Sequence, residues 1–247
     1  MNPGRLLLLP SLLGEGAFDQ TLPAGVVETA RATRHFLAER AKTTRAYLKA
    51  IGHPVPMQEL DIVEIGHAPD PARIDEWLRP LLQGHDVALV SEAGCPGVAD
   101  PGATIVARAH DLGLEVQPLV GPSSILLALM ASGLDGQRFR FVGYLPHDPE
   151  QCASAIAALE TASRSGETQL FIETPYRNQR LFETLLRQCS DDTRLALAVE
   201  LTTSGQFIST RTVGAWRKLD NAQRPPLHNR PAVFLLRAAG RRPVRKR

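Results

Sequence analysis

The stretch between Val87 and Pro146 contains three apolar runs, and each meets a loop of small residues, prolines and acids. In order, the runs and their loops read VALVSEAGCPGVADPG, EVQPLVGPSS and ASGLDGQRFRFVGYLP. Loops of this kind lie where the strands of a parallel sheet deliver the chain to a ligand crevice. Small residues let the backbone approach a ligand closely, and prolines fix the shape of the loop. The stretch therefore predicts a cleft that binds a nucleotide-like cofactor.

Short apolar runs and helical patterns alternate in the first half of the chain. We predict strands at 5–9, 35–38, 57–59, 86–91 and 115–118, and helices at about 24–31, 42–51, 70–83 and 102–112. This alternation is typical of β-α-β units, so it predicts a mostly parallel sheet.

The pattern changes after Gly121-Pro122, which indicates a domain hinge. We predict strands at 139–144, 170–173, 195–201, 207–213 and 232–236, and helices at about 124–132, 150–165 and 178–189. Several of these strands follow one another without a helix between them, which predicts a mixed sheet. The chain is therefore divided into a first α/β domain at 1–119, a second at 120–238 and a basic tail at 239–247.

Composition excludes several classes of protein. The 247 residues suffice for one large or two small domains, and a net charge of +2 does not by itself indicate a polyanionic partner. Three widely spaced cysteines without C-x-x-C spacing support neither disulfides nor a metal site, so we expect a metal-free cytoplasmic enzyme. No apolar run reaches the 18 or so residues that span a bilayer, which predicts no membrane association. From Arg237 to Arg247 the tail carries six basic residues and no acid; it either contacts phosphates or is a solvated end.

The central motifs also resemble those of a known family. The matching segments are Ser91–Pro96 with Ala99–Gly102, then Pro118–Ser124, then Ala131–Pro146, with weaker matches at Phe171–Arg177 and Ala198–Thr202. Together they resemble the tetrapyrrole-methylase-like (class III) S-adenosylmethionine-dependent methyltransferases. Within that superfamily the chain is most similar to the branch that methylates a cytidine ribose 2′-hydroxyl of small-subunit ribosomal RNA.

The resemblance implies a fold, a cofactor and an assembly. The expected fold is a two-domain α/β class III methyltransferase, with an N-terminal mostly parallel Rossmann-like sheet, a C-terminal mixed sheet and the cofactor in the interdomain cleft. The expected cofactor is S-adenosyl-L-methionine, with S-adenosyl-L-homocysteine as product, and the expected assembly is a homodimer. The implied cofactor-binding residues are Pro10, Glu92, Ala93, Gly94, Pro96, Val98, Ser123, Ser124, Phe171, Ile172 and Ala198. Ser123 and Ser124 also fit plain capping of the next helix, and one serine can cap while the other meets a ligand.

The residue pattern does not identify a catalytic residue. Methyl transfer from a sulfonium needs in-line positioning and no covalent nucleophile, and the chain carries neither G-x-G-x-x-G nor a P-loop. A base that accepts the proton of the methyl acceptor would accelerate the reaction. Glu173, Glu200 and His147 are candidates, and no spacing selects among them.

The segment expected beside the methyl acceptor differs in sequence from that of the ribosomal branch. The AEDTR segment of that branch is replaced by Ala38-Glu39-Arg40-Ala41-Lys42, so an acid is lost and a positive charge gained. Arg40, Lys42, Arg45 and Arg177 are candidates for contacts with phosphates, or else are surface charges with local partners. The leading function is methylation of RNA on the small ribosomal subunit. The alternatives are methylation of a small molecule such as a tetrapyrrole, and a non-catalytic cofactor-binding paralogue.

Overall fold

A computed structural model describes residues 2–239 of the chain, which folds into two compact units that meet between Ser123 and Ser124 in the sequence. The strands of the first unit are β1 (Leu6–Leu8), β2 (His35–Ala38), β3 (Asp61–Glu64), β4 (Val87–Val90) and β5 (Val116–Pro118). Its helices are α1 (Ala24–Ala32), α2 (Ala41–Ala50), α3 (Ile74–Trp77), α4 (Arg79–Leu82) and α5 (Ala103–Asp111). Short 3-10 helices form at Phe18–Gln20 and Pro71–Arg73.

The strands of the first unit form a parallel sheet in the order β3-β2-β4-β1-β5. Alternate side chains of each strand enter opposite cores. Leu7 of β1 packs with residues of α1 and α2, whereas Leu6 packs with residues of α3, α4 and α5. The connections that leave β1 and β4 therefore cross opposite faces of the sheet. Such a switch opens a crevice at the carboxyl ends of the two strands.

The second unit carries a mixed sheet in the order β6-β7-β10-β8-β9. Its strands are β6 (Phe139–Tyr144), β7 (Thr168–Ile172), β8 (Arg194–Val199), β9 (Phe207–Thr212) and β10 (Ala232–Arg237). Its helices are α6 (Ser124–Ser132), α7 (Pro149–Ser163), α8 (Asn178–Gln188) and α9 (Val213–Arg217), with 3-10 helices at Pro175–Arg177 and Asn221–Gln223. β6 and β7 are parallel, and the other neighbours are antiparallel. One face of this sheet packs against α7, α8 and α9 and forms a buried core with them. Helix α6 packs against β8, β9 and β10.

The predicted fold class is confirmed: a parallel sheet precedes a mixed one, each with helices. Two local predictions were wrong. The strand expected at 57–59 is a turn, and the strand lies at Asp61–Glu64, where it pairs with β2. The single helix expected at 70–83 is interrupted, because Pro80 lacks an N–H and its ring clashes with the preceding turn. The strand expected at 207–213 is present at Phe207–Thr212, and the side chain of Thr212 caps α9.

Two further predictions concern membrane association and the basic tail. Within residues 2–239, no helix combines the length and the apolar character needed to cross a bilayer. The tail predicted at 239–247 falls outside the described residues, apart from Ala239.

An ion pair ties the start of β1 to the residue before β4. Arg5 Nη2 donates to Asp86 Oδ2 at 2.6 Å, and the Arg5 backbone N–H donates to Asp86 Oδ1 at 2.7 Å. The side-chain hydrogen bond from Arg5 lowers the pKa of Asp86 below its ordinary value. Because the folded-state pKa is depressed, this stabilisation is present above the unfolded pKa of about 3.9 and is lost as the pH falls through the folded pKa.

We expect Asp86→Asn to lower the free energy of unfolding by about 1 kcal/mol at pH 7, since solvent screens this partly exposed pair. The difference from wild type should shrink as the pH falls from 5 to 2. Urea denaturation over that range measures it. If the difference in free energy of unfolding stayed constant with pH, the ion pair between Arg5 and Asp86 would not be the source of the stabilisation.

Candidate functional site

The loops that follow β1 and β4 are joined at the carboxyl edge of the parallel sheet. The Ser11 backbone N–H donates to the Gly94 carbonyl at 2.9 Å, and the Ser11 hydroxyl donates to the Ser91 carbonyl at 3.2 Å. Ser11, Ser91 and Pro10 are buried. The predicted cofactor positions Pro10 and Gly94 therefore lie in adjoining loops at the crevice of the sheet.

The loop that follows β5 packs against both of these loops. Cys95 Sγ donates to the Pro122 carbonyl oxygen at 3.4 Å. A Cβ atom built on Gly121 would lie 2.3 Å from Cβ and Cγ of Pro10, so only glycine permits this approach. Three loops from three adjacent strands thus form one continuous surface made largely of backbone, which is the kind of surface that a nucleotide-like ligand contacts.

The shape of the loop between Ser91 and Gly102 is fixed by left-handed residues and by hydrogen bonds within the loop. Gly94, Gly97 and Ala99 have left-handed φ values of 76°, 80° and 59°. One oxygen of Asp100 accepts the N–H groups of Gly97 at 2.7 Å and of Gly102 at 2.8 Å. Burial raises the pKa of Asp100, and these two backbone hydrogen bonds oppose the shift. A half-buried carboxylate of this kind favours a cationic group beside it.

The other predicted residues of this loop differ in their exposure to solvent. Pro96 is buried, Glu92 is half-buried, and Ala93 and Val98 are exposed. Nothing lies within 4 Å of a Cβ built on Gly97, so the space beside the loop is open. Of the two predicted serines, Ser123 ends the first unit and Ser124 begins α6 in the second.

In the second unit, two predicted cofactor residues share one row of the mixed sheet. Val233 of β10 pairs with Ile172 of β7 on one side and with Ala198 of β8 on the other. These three side chains face away from the core that α7, α8 and α9 cover. Phe171 faces that core, fully buried, with its ring stacked on Phe234 at 5.8 Å between centroids. Only the backbone of Phe171 is therefore available to a ligand.

The four candidate phosphate-binding cations have different surroundings. Lys42 and Arg45 are exposed on α2, and Arg40 just before α2 lies 3.5 Å from a carboxylate oxygen of Glu92. Arg177 is in an ion pair with Glu173, whose side chain is 7% exposed. The structure thus leaves the cations on α2 accessible, while Arg177 has an internal partner.

The three candidate bases of the second unit lie in unequal surroundings. Glu173 pairs with Arg177, and Glu200 pairs with Arg230 at 2.6 Å. His147 lines a cavity of about 310 Å³ between α7 and α8. The two glutamates therefore each have a cationic partner in the second unit.

Sequence reasoning missed a cluster at the carboxyl ends of β2, β3 and β4. Glu39, His67 and Glu92 each follow one of these strands, and one ligand atom of each lies within 4.8 Å of the others. Glu39 Oε1 lies 2.8 Å from His67 Nδ1, and Glu39 Oε2 accepts the Glu92 backbone N–H at 2.9 Å. A shared cation and proton transfer are the two chemistries open to such a group.

The chain matches the family model of the tetrapyrrole (corrin/porphyrin) methylases over residues 19–215 and belongs to that family. The predicted family resemblance is therefore confirmed. This chain is 34% identical to the ribosomal RNA small subunit methyltransferase I of Escherichia coli O157:H7 over 155 residues, which is 62% of this chain and 53% of that protein. The protein of the same name from Bacillus subtilis (strain 168) is 33% identical over 204 residues, or 81% of this chain and 64% of that protein. The chain thus spans about half to two thirds of the length of these relatives.

A solved structure of the methyltransferase CobJ has the same fold. It superposes with a TM-score of 0.63 over 98% of this chain and 97% of that chain, at 18% sequence identity. At this identity the likeness establishes the fold alone.

Proposed function

We propose that this chain is an S-adenosylmethionine-dependent methyltransferase that methylates a ribose 2′-hydroxyl of small-subunit ribosomal RNA. The cofactor assignment rests on the contact among the loops after β1, β4 and β5. In this contact, Gly121 lies so close to Pro10 that it has no room for a side chain. Membership of a methylase family and the names of the curated relatives support the reaction and the acceptor.

The residues of the first unit fit the chemical groups of this cofactor. S-adenosylmethionine carries a cationic sulfonium and amine, hydroxyls and a carboxylate, and it supplies an electrophilic methyl group when bound. The backbone of the loop from Ser91 to Gly102 offers donors and acceptors, and Asp100 offers a half-buried carboxylate. The exposed Ala93 and Val98 provide apolar surface beside it. These residues would bind and orient the cofactor, and the rate would come mainly from that positioning.

A group of cations at the start of α2 supports a polyanionic substrate. Arg40, Lys42 and Arg45 lie close together in sequence at the start of α2, directly after the carboxyl end of β2. Such cations contact phosphates and orient a nucleic acid without reading its sequence. The proposal also includes a homodimer without a resident metal, acting in the cytoplasm.

Calorimetric titration with S-adenosylmethionine and S-adenosylhomocysteine tests the cofactor assignment. We expect micromolar dissociation constants for both, because the loops that form the crevice are already connected. Absence of binding at millimolar ligand would contradict the cofactor assignment.

Incubation with methyl-labelled cofactor then tests the acceptor. We expect label in the RNA of undermethylated small ribosomal subunits and none in a tetrapyrrole precursor. Label in the tetrapyrrole alone would favour the small-molecule alternative. Cofactor binding without methyl transfer to any cellular fraction would favour a non-catalytic paralogue. Light scattering of the purified chain measures the oligomeric state in the same preparation.

A further inference from the structure

A carboxylate–imidazole pair stands at the carboxyl edge of the parallel sheet, beside the proposed cofactor loop. Glu39 follows β2 and His67 follows β3, which is the neighbouring strand. Their 2.8 Å contact joins Glu39 Oε1 to His67 Nδ1. The Glu39 side chain is 12% exposed and the His67 side chain is 74% exposed. A largely buried carboxylate, that of Glu39, therefore contacts an imidazole, that of His67, which remains exposed to solvent.

Glu39 is itself fixed by the proposed cofactor loop. Its second oxygen accepts the backbone N–H of Glu92, the second residue of that loop, at 2.9 Å. The chain of contacts thus runs from the loop backbone to Glu39 and from Glu39 to His67. With Nδ1–H donating to the carboxylate, Nε2 carries the lone pair and is the basic atom. A base oriented by a third group in this way is the recurring arrangement of general-base catalysis.

We propose that His67 is the general base of the methyl transfer and that Glu39 is its positioning residue. This inference rests on the proposed function. In the step, the acceptor hydroxyl gives its proton to Nε2 of His67 while its oxygen bonds to the methyl carbon. The bond from that carbon to sulfur breaks, and its electron pair stays on sulfur, which becomes a neutral thioether. The imidazolium keeps its contact with the carboxylate of Glu39 and later releases the proton to water.

The charges around His67 are compatible with this role. Glu39 contacts the ring directly, and Glu92 lies within the same 4.8 Å cluster. Arg40 and Thr43 both approach Glu92 Oε1, at 3.5 Å and 3.4 Å, so the charge of Glu92 is partly compensated. Glu173 and Glu200 have cationic partners in the ion pairs of residues 2–239, whereas His67 and His147 have none there. Of these two histidines, His67 is the one that forms an ion pair with a carboxylate within those residues.

The same sheet contains a matched control. His35 begins β2 and Asp61 begins β3, and His35 Nδ1 lies 3.0 Å from Asp61 Oδ2. This pair has the same two chemical groups on the same two strands, at their amino ends rather than their carboxyl ends. A variant at His35 therefore removes an equivalent contact far from the proposed site.

The experiment measures single-turnover methyl transfer to undermethylated small ribosomal subunits for wild type, His67→Ala, His67→Gln, Glu39→Gln and His35→Ala. We expect His67→Ala and His67→Gln to reduce the rate about 10²–10³-fold, within the usual contribution of a general base. Affinity for S-adenosylhomocysteine should stay within twofold of wild type. Added imidazole should restore part of the His67→Ala rate and none of the His67→Gln rate, because only the alanine variant leaves room for it. Glu39→Gln should lower the rate without changing KM, and His35→Ala should behave as wild type.

Each other outcome has a definite meaning. His67→Ala with a wild-type rate, or a loss that His35→Ala reproduces, would overturn the assignment and leave the proposed function intact. Loss of wild-type activity in a chelator, with recovery in Mn²⁺ or Zn²⁺, would overturn it in favour of a cation held by Glu39, His67 and Glu92. Absence of methyl transfer by wild type would be a failure of the proposed function, and it is seen before any variant is compared.

Discussion

Gly121→Ala is expected to weaken the binding of S-adenosylmethionine more than tenfold. The added Cβ would lie 2.3 Å from two ring atoms of Pro10, and a proline ring has little freedom to move aside. Either the loop after β1 or the loop after β5 must shift, and both belong to the proposed cofactor surface. We also expect the free energy of unfolding to fall by about 1–3 kcal/mol, which is typical of overpacking. Calorimetry and urea denaturation measure the two effects.

Two further variants test whether the lost affinity comes from the contact between Gly121 and Pro10. Pro10→Gly combined with Gly121→Ala removes both clashing ring atoms and should recover part of the lost affinity. Gly25→Ala lies in α1, where nothing is within 4 Å of the added atom. It should leave affinity unchanged and raise the free energy of unfolding by up to about 1 kcal/mol, since alanine is the better helix former. Normal cofactor affinity in Gly121→Ala would mean that the three loops do not form the binding surface.

The parts of the fold that could be predicted from the sequence are those with a strong local signal. The run at Val87–Val90 is apolar on both faces, as a central parallel strand requires, and it lies in the middle of the sheet. At Asp61–Glu64 the strand lies at the sheet edge and is only partly buried. Its sequence therefore lacks a continuous apolar run, and the strand was misplaced by a few residues.

The Glu39–His67 pair shows why part of the candidate site was missed. The two residues are 28 positions apart and share no motif. They meet because β2 and β3 pair in parallel, with Ala38 opposite Glu64, so that the residues after both strands emerge together. That register is a tertiary property, and no local pattern encodes it. Phe171 shows the same limit: its motif matched a cofactor position, and only the sheet reveals that its ring faces the core.

Arg177→Ala is expected to destabilise the second unit strongly. Arg177 pairs with Glu173, and its Nε donates to the hydroxyl of Thr174 at 3.0 Å. The side chains of Arg177 and Glu173 are 17% and 7% exposed, so removal of the guanidinium leaves a carboxylate buried without its cation. Breaking such a pair from one side typically costs about 3–5 kcal/mol. Thermal and urea denaturation of the purified variant measure the loss.

A double variant separates this structural role from a contact with phosphate. Glu173→Gln combined with Arg177→Met removes both charges at similar volume, and such replacements of buried pairs are close to neutral. We therefore expect it to regain most of the stability lost in Arg177→Ala. If Arg177 also bound a phosphate of single-stranded RNA, the salt dependence of RNA affinity would fall by about 0.7 in logarithmic slope in this stable protein. An unchanged slope would leave Arg177 with its internal role, and the cations on α2 would then account for the proposed contacts with RNA.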